Sequence, residues 1–501
     1  MNRQRDPVNT PTELEYLVGK EEYMIYSVGI DLHKGQHRAH CLDERAQPCD
    51  AFSFETTTDG LATLERRIFR DGSNPIVVLE SAGLTWLMVA AYLRSCHSEC
   101  RVVRAKGQKV AALRRYLRGP VKSDRIDAFT LAKMPFIDPE RLDEVYLAPA
   151  KTHALQRLTR QRKRLEDQIT THKKRIGSIV DGYLPGIRQA FSHTWSVQVR
   201  AFLHSQINPF AVIRDGEEAL HSFLTEAKPR SRGGRTESHL VYHACQNVLA
   251  LQKLCAAAGM LNEEFFIDLQ GEIDRELRLM EAEEAESKAL DRRIEELYQA
   301  LHPSANLRTI PGVGEHTAPV FVANIGDPTR FPGQSEFVNW TGVVPAAKQS
   351  SGVESKGLRM TKAGPATVKW ALYQAGQIGR RWDPQLASVY YRQMVYHGKN
   401  HKQAMGAVMS HIAARVFTVL REGRPYDLRD TEGKSMSVLA ARDLIMVKYQ
   451  VPEDIRQARR KSKGRKANSL GLQKRKGIAA GREHEAAIAP QPATSLPSPV
   501  T

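Results

Sequence analysis

Cysteine is scarce in this chain of 501 residues: there are six, and none stands in a CxxC pair. Disulfide frameworks and structural zinc sites need cysteines at short, paired spacings, so this distribution argues against both. The chain also lacks any run of about 18 uncharged apolar residues, and its first residues are polar rather than the apolar core of a signal peptide. We therefore expect a cytoplasmic protein that has no membrane partner.

Acidic residues are nearly absent from two stretches. Residues 456–482 hold eleven Lys or Arg and no acid, which leaves 17 − 11 = +6 of the formal net charge for the rest of the chain. Such a tail is typical of a solvated end or of a nonspecific phosphate contact. Between Arg101 and Arg125, nine Lys or Arg residues are opposed by Asp124 alone. This second stretch predicts a surface on which a polyanion docks.

Residues 24–150 predict an α/β domain with a mixed sheet. Tyr26–Asp31 and Pro75–Glu80 are short apolar strands that each end in an acid, and segments around 37–42 and 51–55 predict a meander between them. Since ligands gather at the carboxyl ends of strands in open α/β sheets, both acids are candidate site residues. Helix and strand then alternate up to a helix that begins near Asp124.

The rest of the chain is predicted to be mainly helical. Residues 1–23 predict a flexible N-terminus, and 151–300 a coiled-coil region with an insertion at about 181–260. The two long helices of that region are expected either to pair antiparallel or to form an intermolecular bundle. Residues 301–428 predict a C-terminal domain whose start, Ile310–Thr317, resembles a helix-hairpin-helix; a plain turn explains it equally well. Residues 429–501 predict a basic tail, largely disordered beyond 464.

Four acids form the candidate metal site: Asp31, Glu80, Asp124 and Asp127. The last two are three residues apart and share one helix face, where they can reach one ion. Helix N-capping is the competing interpretation for Asp31, for Glu80 and, most strongly, for Asp124, because Ser123 or Asp124 would serve well as the N-cap of the following helix. Asp127 is therefore favoured on geometry. His33 and Lys34 are interpreted as orienting or phosphate-contacting residues rather than as metal ligands.

A second candidate site is the loop 349–364. Three serines, two lysines and an arginine stand there between glycines, as in loops that surround phosphate oxygens. A flexible surface loop is the competing interpretation. A serine hydroxyl needs a base or a cation to become a nucleophile, and the loop itself supplies neither His nor Asp. An activator has to come from elsewhere in the molecule or from another subunit.

Five groups of residues occur in an order that resembles the DEDD-type insertion-sequence transposases, RuvC-like recombinases with a serine-bearing C-terminal domain. The resemblance covers about residues 24–180 and 262–428. The matching groups are Gly29–Lys34, Leu79–Gly83, Lys122–Ala128, Ile310–Gly314, and Ser351–Gly352 together with Lys362–Gly364.

The resemblance implies a ribonuclease H-like N-terminal domain in which the four acids hold Mg²⁺ or Mn²⁺. It implies that Ser351 becomes covalently joined to DNA; Ser350 is a rival because the loop is one residue shorter than the family pattern. The implied partners are DNA at the element ends and target, a structured guide RNA, and further copies of the chain in a dimer or tetramer. A nucleoid-associated location follows.

Three functions are compatible with these residues. The first is a transposase that exchanges DNA strands through a serine–DNA intermediate. The second is a RuvC-like, Mg²⁺-dependent, structure-specific DNA nuclease, which needs the four acids and an activated water but not Ser351. The third is a nucleic-acid-binding protein with a degenerate site, which the intact set of four acids disfavours.

Overall fold

The computed structural model describes residues 24–80, 83–139, 142, 144–191, 193–229, 234–254, 262–346, 349–350, 353–354, 360–361 and 363–459. The chain divides into two compact units, of which the first ends at Ala148 and the second begins at Pro149.

The first unit is built on a five-stranded mixed sheet, as predicted. Its strand order is β3-β2-β1-β4-β5, with antiparallel pairing among the first three strands and parallel pairing of β1 with β4 and of β4 with β5. The central strands are almost fully buried, which explains their continuous apolar runs. The strands are β1 (Ile25–Asp31), β2 (Gln36–Asp43), β3 (Pro48–Glu55), β4 (Ile76–Glu80) and β5 (Val102–Ala105).

Four helices accompany this sheet: α1 (Thr58–Ile68), α2 (Trp86–Cys96), α3 (Gly107–Arg118) and α4 (Asp124–Ile137). The predicted break at Gly119 between α3 and α4 is present, and Gly119 has a φ of 64°, which favours glycine. α1 buries Leu61, Leu64 and Ile68, the apolar face that its spacing predicts.

The second unit begins with two long helices, α5 (Ala150–Tyr183) and α11 (Glu263–Leu301), that pack against each other. Lys173 Nζ lies 3.1 Å from Glu284 Oε1, and Arg162 pairs with Asp291. Because residue numbers rise on one helix as they fall on the other, the pair is antiparallel. The chain thus realises the first of the two predicted arrangements.

Five helices lie between them in the part of this stretch that the structure describes, where the insertion is predicted. They enclose their own apolar core with the adjoining ends of α5 and α11, and Phe202, Phe266 and Val241 are fully buried in it. These helices are α6 (Ile187–Ala190), α7 (Val197–Ser205), α8 (Pro209–Asp215), α9 (Glu217–Ala227) and α10 (Gly234–Leu254).

Most of the remaining helices form a core with the opposite ends of α5 and α11. One of them, α16, is long and apolar enough to cross a membrane by length and composition alone, and half of the relevant stretch is buried inside this core. The elements are α12 (Ala318–Ile325), α13 (Gln334–Thr341), β6 (Gln349–Ser350), β7 (Val353–Glu354), α14 (Ala366–Gly379), α15 (Pro384–Val395), α16 (His401–Glu422) and α17 (Val438–Lys448).

The glycine-rich segment before α12 has a packing role. Gly312 has a φ of 91°, and a Cβ there would stand 2.1 Å from the carbonyl oxygen of Ala375 on α14. Glycine at position 312 is therefore explained by the close approach of this segment to the backbone of α14. This supports the interpretation of the segment as a turn over its interpretation as a phosphate-binding hairpin.

Candidate metal centre

Parallel pairing brings the first two candidate acids to the same edge of the sheet. Ile30 of β1 is in register with Leu79 of β4, and each strand continues by one residue, to Asp31 and to Glu80. Adjacent strands are about 4.8 Å apart, so the two carboxylates emerge as close neighbours. The side chain of Asp31 is only 6% exposed.

Direct contact between β1 and α4 brings the other two acids to this edge. A Cβ at Gly29 would stand 2.1 Å from the carbonyl oxygen of Ala128, so only glycine allows this approach. The hydroxyl of Ser27 donates to the carbonyl of Ala132 at 2.8 Å. α4 therefore lies across β1 with its first turn, which carries Asp124 and Asp127, beside the end of the strand.

Asp124 does not cap its own helix. The Ser123 hydroxyl accepts the N–H of Ile126 at 3.3 Å and is the N-cap of α4. The carboxylate of Asp124 is consequently available to a ligand, and its side chain is 66% exposed. The capping interpretation thus applies to Ser123 rather than to Asp124.

His33 links these two acids. Its Nε2 lies 3.1 Å from Asp31 Oδ2 and 3.4 Å from Asp124 Oδ1, and one ligand atom from each of the three lies within 4.8 Å of the others. The His33 backbone N–H donates to His37 Nδ1 at 3.2 Å, which fixes the turn after β1. The structure therefore places His33 among the candidate ligands, where the sequence suggested only an orienting role.

Asp31 is in an unfavourable environment for a negative charge. Burial, which is the largest cause, raises its pKa to about 6 together with the charges of Glu80 and Asp127 and against the lowering effect of His33. Glu80 and Asp127 are thus close enough to Asp31 for their charges to change its pKa. A cation at this point would favour the ionised form of all three carboxylates.

Asp127 has a cationic partner already. Arg114 Nη1 of α3 donates to Asp127 Oδ1 at 2.6 Å, and both side chains are largely buried. Neither the spacing of 13 residues nor any periodicity in the sequence indicates this pair. The sequence placed Arg114 only in the basic stretch between Arg101 and Arg125 and did not identify it as a site residue; its position in a basic helix beside the Asp124 helix is the signal that was present.

Glu80 faces the beginning of α3. A Cβ at Gly107, the first residue of that helix, would stand 3.1 Å from Glu80 Oε1. A carboxylate at a helix N-terminus is stabilised by the unpaired N–H groups and the helix dipole. α3 therefore contacts two of the four acids: Glu80 lies at its first residue, and Asp127 accepts a hydrogen bond from its Arg114 side chain.

The donor set fits a hard divalent cation. Two carboxylates and an imidazole converge on one point, and oxygen ligands are those that Mg²⁺ and Mn²⁺ prefer. Burial and the neighbouring acids both disfavour the charge of Asp31, and a bound cation would offset them. Asp31, His33 and Asp124 are the residues whose ligand atoms converge, with Glu80 and Asp127 next to them.

The predicted nucleophile lies outside the described residues. Ser351 and Gly352 fall between β6 and β7, whose registered pairs are Gln349 with Glu354 and Ser350 with Val353. The backbone of the rival Ser350 is part of β6, and its side chain is not described. The assignment of Ser351 as the nucleophile therefore stays a prediction.

Two family models match the chain. A transposase model of the DEDD, IS110 type matches residues 28–185, and one for the transposase IS116/IS110/IS902 family matches residues 304–392. The first range contains all four acids together with the strands and helix that position them, and the second contains Ser350 and Ser351. The chain belongs to the DEDD-type insertion-sequence transposases. As such it is an enzyme that processes DNA.

Curated relatives of this transposase agree with that membership. An insertion element IS110 protein of Streptomyces coelicolor is 22% identical over 82% of this chain and 97% of its own length. An insertion element IS116 protein of Streptomyces clavuligerus is 22% identical over 79% of this chain and 95% of its own length. A pilin gene-inverting protein of Moraxella bovis is 27% identical over 26% of this chain and 40% of its own length.

Proposed function

We propose that this transposase cleaves and exchanges DNA strands through a covalent serine–DNA intermediate, with Ser351 as the nucleophile and the acidic centre as its activator. The observation that carries the proposal is the convergence of Asp31, His33 and Asp124 on one point at the end of β1, with Glu80 and Asp127 beside it. An excess of carboxylates around one point is an arrangement that phosphoryl-transfer enzymes use with divalent metal.

The chemical step has two parts. The Ser351 hydroxyl loses its proton as its Oγ bonds to phosphorus, and the bond from phosphorus to one deoxyribose oxygen breaks, releasing a hydroxyl end. A hydroxyl of a second strand then attacks the same phosphorus and frees the serine, so that one phosphodiester is exchanged for another. Mg²⁺ or Mn²⁺ at the acidic centre would stabilise charge on the attacking and leaving oxygens.

The chain's own residues prepare the centre for this role. Asp31, Glu80, Asp124 and Asp127 supply the oxygen ligands, and His33, which contacts Asp31 and Asp124, supplies a nitrogen ligand. Arg114 holds Asp127 in place, and its positive charge offsets part of the repulsion within the cluster. Burial of Asp31 keeps water from competing for its carboxylate.

A covalent adduct is the decisive readout. Protein, Mg²⁺ and labelled DNA that carries candidate element ends would be incubated and separated under denaturing conditions. We expect an adduct that is lost in Ser351→Ala and in Asp31→Ala and retained in the matched control Ser350→Ala. Peptide mapping of the adduct identifies the modified serine directly.

Three other outcomes of this experiment would change or overturn the proposal. An adduct lost in Ser350→Ala and kept in Ser351→Ala would move the nucleophile by one residue. Cleavage without any adduct, persisting in Ser351→Ala, would replace the proposal by the second candidate, a RuvC-like nuclease that uses water. Activity indifferent to Asp31→Ala would overturn both.

The acids and the serine are proposed to act together across subunits, as the family resemblance implies, in a dimer or tetramer. Mixing Asp31→Ala protein with Ser351→Ala protein tests this, because assembly in trans restores one complete site. We expect the adduct to reappear in the mixture, whereas action within one subunit leaves both variants inactive.

A structured guide RNA is the remaining partner that the resemblance implies. The test adds RNA transcribed from the noncoding DNA that flanks the gene. We expect adduct formation to require this RNA and to change its target when the RNA sequence is changed. Equal activity with and without RNA would remove it from the proposal.

A further inference from the structure

Helix α3 is fixed to the acidic centre along one face. Arg114 bonds to Asp127, and four residues on, the guanidinium of Arg118 lies 5.1 Å from the centre of the Phe129 ring on α4. At the helix start, Gly107 leaves room for Glu80. These contacts determine which side of α3 faces away from the protein.

The opposite face of α3 is exposed and has a specific composition. It carries Gln108, Lys109, Ala112, Arg115 and Tyr116, which recur at spacings of three, four and seven and are here called the α3 stripe. Tyr116 is 86% exposed. The small side chain of Ala112, in the middle of the stripe, does not cover the neighbouring cations or the aromatic ring.

The cations of the α3 stripe lack partners among the described residues: neither Lys109 nor Arg115 forms an ion pair or side-chain hydrogen bond there. The antiparallel helices behave differently, since Arg162 and Lys173 of α5 are both paired with acids of α11. These cations lie on the face of α3 that is turned away from the acidic centre and add no ion pair to the fold among the described residues. They are available to a polyanionic ligand that runs along α3 towards the acids.

We propose that the α3 stripe seats the DNA strand that enters the acidic centre, with phosphates on Lys109 and Arg115 and an unstacked base on Tyr116. A tyrosine ring in water gains a partner of matching shape when a base stacks on it, and stacking requires that the base be unpaired. The bound segment is therefore single-stranded or locally opened DNA. This inference rests on the proposed function, because it takes DNA as the ligand of the same centre.

Strand binding is measured without chemistry. The probe is a fluorescein-labelled single-stranded DNA of 20 nucleotides, titrated with full-length protein in EDTA and followed by anisotropy at several salt concentrations. Under these conditions no metal is present, so binding does not depend on whether the serine reaction occurs.

Tyr116→Ala is expected to weaken binding about tenfold, whereas Tyr116→Phe retains the ring and should bind like the parent protein. The matched control is Tyr396→Ala, which removes another well exposed tyrosine, 72% accessible, in the second unit. We expect this control to bind within about twofold of the parent.

The double variant Lys109→Gln/Arg115→Gln is expected to flatten the slope of log Kd against log salt by about 1.4, since each phosphate contact on a single strand contributes about 0.7. The control is Lys288→Gln/Arg292→Gln, which removes two exposed cations four residues apart on α11. An equal change in both double variants would show a general charge effect and overturn the inference.

Three further outcomes are informative. If RNA of the same sequence binds more tightly and it alone responds to Tyr116→Ala, the stripe is an RNA seat and the DNA assignment is wrong. If stripe variants bind DNA normally while the serine adduct forms, the inference fails and the proposed function stands. If the stripe variants weaken DNA binding as expected but no serine adduct forms, the inference stands and the proposed function fails.

Discussion

Two buried aspartates of this transposase, one in each unit, are each bonded to an arginine but have different surroundings. Asp383 is fully buried, and its carboxylate accepts the N–H groups of Gln385 and Leu386 and the side chains of Arg415 and Tyr426. Asp127 accepts a bond from Arg114 but stands among further acids, and the pKa of nearby Asp31 is raised.

The difference separates structural from functional use of a buried carboxylate. Around Asp383 every lone pair has a donor, so the charge is balanced inside the protein and the group caps α15. Among the described residues of the acidic centre, one arginine and one histidine contact the four acids. We expect a cation to offset the remaining negative charge, so the centre should respond to metal and the Asp383 cluster should not.

The largest expected effect is the loss of activity when the acidic centre, and not the Asp383 cluster, is altered. Asp31→Asn should lower strand cleavage about a thousandfold, because metal coordination contributes several kcal/mol to phosphoryl transfer. Its thermal unfolding in EDTA should stay cooperative, because the substitution removes a repelled charge. Cleavage rates and calorimetry on the same preparation check both statements; a variant that is inactive because it is unfolded would contradict them.

Asp383→Ala should have the opposite signature. Removing it leaves Arg415 buried without its ionic partner, which we expect to cost about 3–5 kcal/mol of unfolding free energy. The control is Glu422→Gln, which disrupts the more exposed pair with Arg424 and should cost less than about 1 kcal/mol. Denaturant titration measures both, and a small effect of Asp383→Ala would remove the contrast between the clusters.

Adding Mg²⁺ tests directly whether the acidic centre binds a cation that offsets its excess negative charge. At Mg²⁺ concentrations of 10 to 100 times Kd, the parent protein should gain about 1.4–2.7 kcal/mol of unfolding free energy, and Asp31→Asn should gain much less. Asp383→Ala should still respond to Mg²⁺ by the full amount. No shift in the parent protein at any Mg²⁺ concentration would contradict a metal centre.

The pH dependence of this stabilisation follows from the pKa of Asp31. Its folded-state pKa, raised to about 6, lies above its ordinary value of 3.8, so the carboxyl favours the folded state below pH 4 and loses that contribution as the pH rises through 6. In EDTA, Asp31→Asn should therefore exceed the parent in stability at pH 7 to 8, and the difference should shrink towards pH 4. With Mg²⁺ the parent should recover at the higher pH.

The sequence predicted much of the first unit because its signals are local. Two apolar strands ending in Asp31 and Glu80, and an acid pair at a helix start, required only periodicity and a parallel sheet to be brought together. Contacts that depend on a turn were not predictable. Arg114 reaches Asp127 only because Gly119 redirects the chain, and His33 lies between two acids only because α4 crosses β1.

The second unit shows the same limit more strongly. The antiparallel pairing of α5 and α11 was one of two expected arrangements, since apolar spacing along each helix does not specify its partner. The Asp383 cluster joins residues 32 and 43 positions apart on different elements, and no sequence pattern marks it. The predicted nucleophile Ser351 lies outside the described residues, so its role stays a prediction.

The smallest effect compares two equivalent helix caps. Ser123 caps α4 and Ser437 caps α17, and each hydroxyl accepts an N–H three residues on at 3.3 Å. Replacing either by alanine should cost about 1 kcal/mol, measured by denaturant titration. Only Ser123→Ala should also weaken Mg²⁺ binding, because it loosens the turn that carries Asp124 and Asp127. Equal Mg²⁺ affinities in the two variants would show that the metal centre does not depend on the order of that turn.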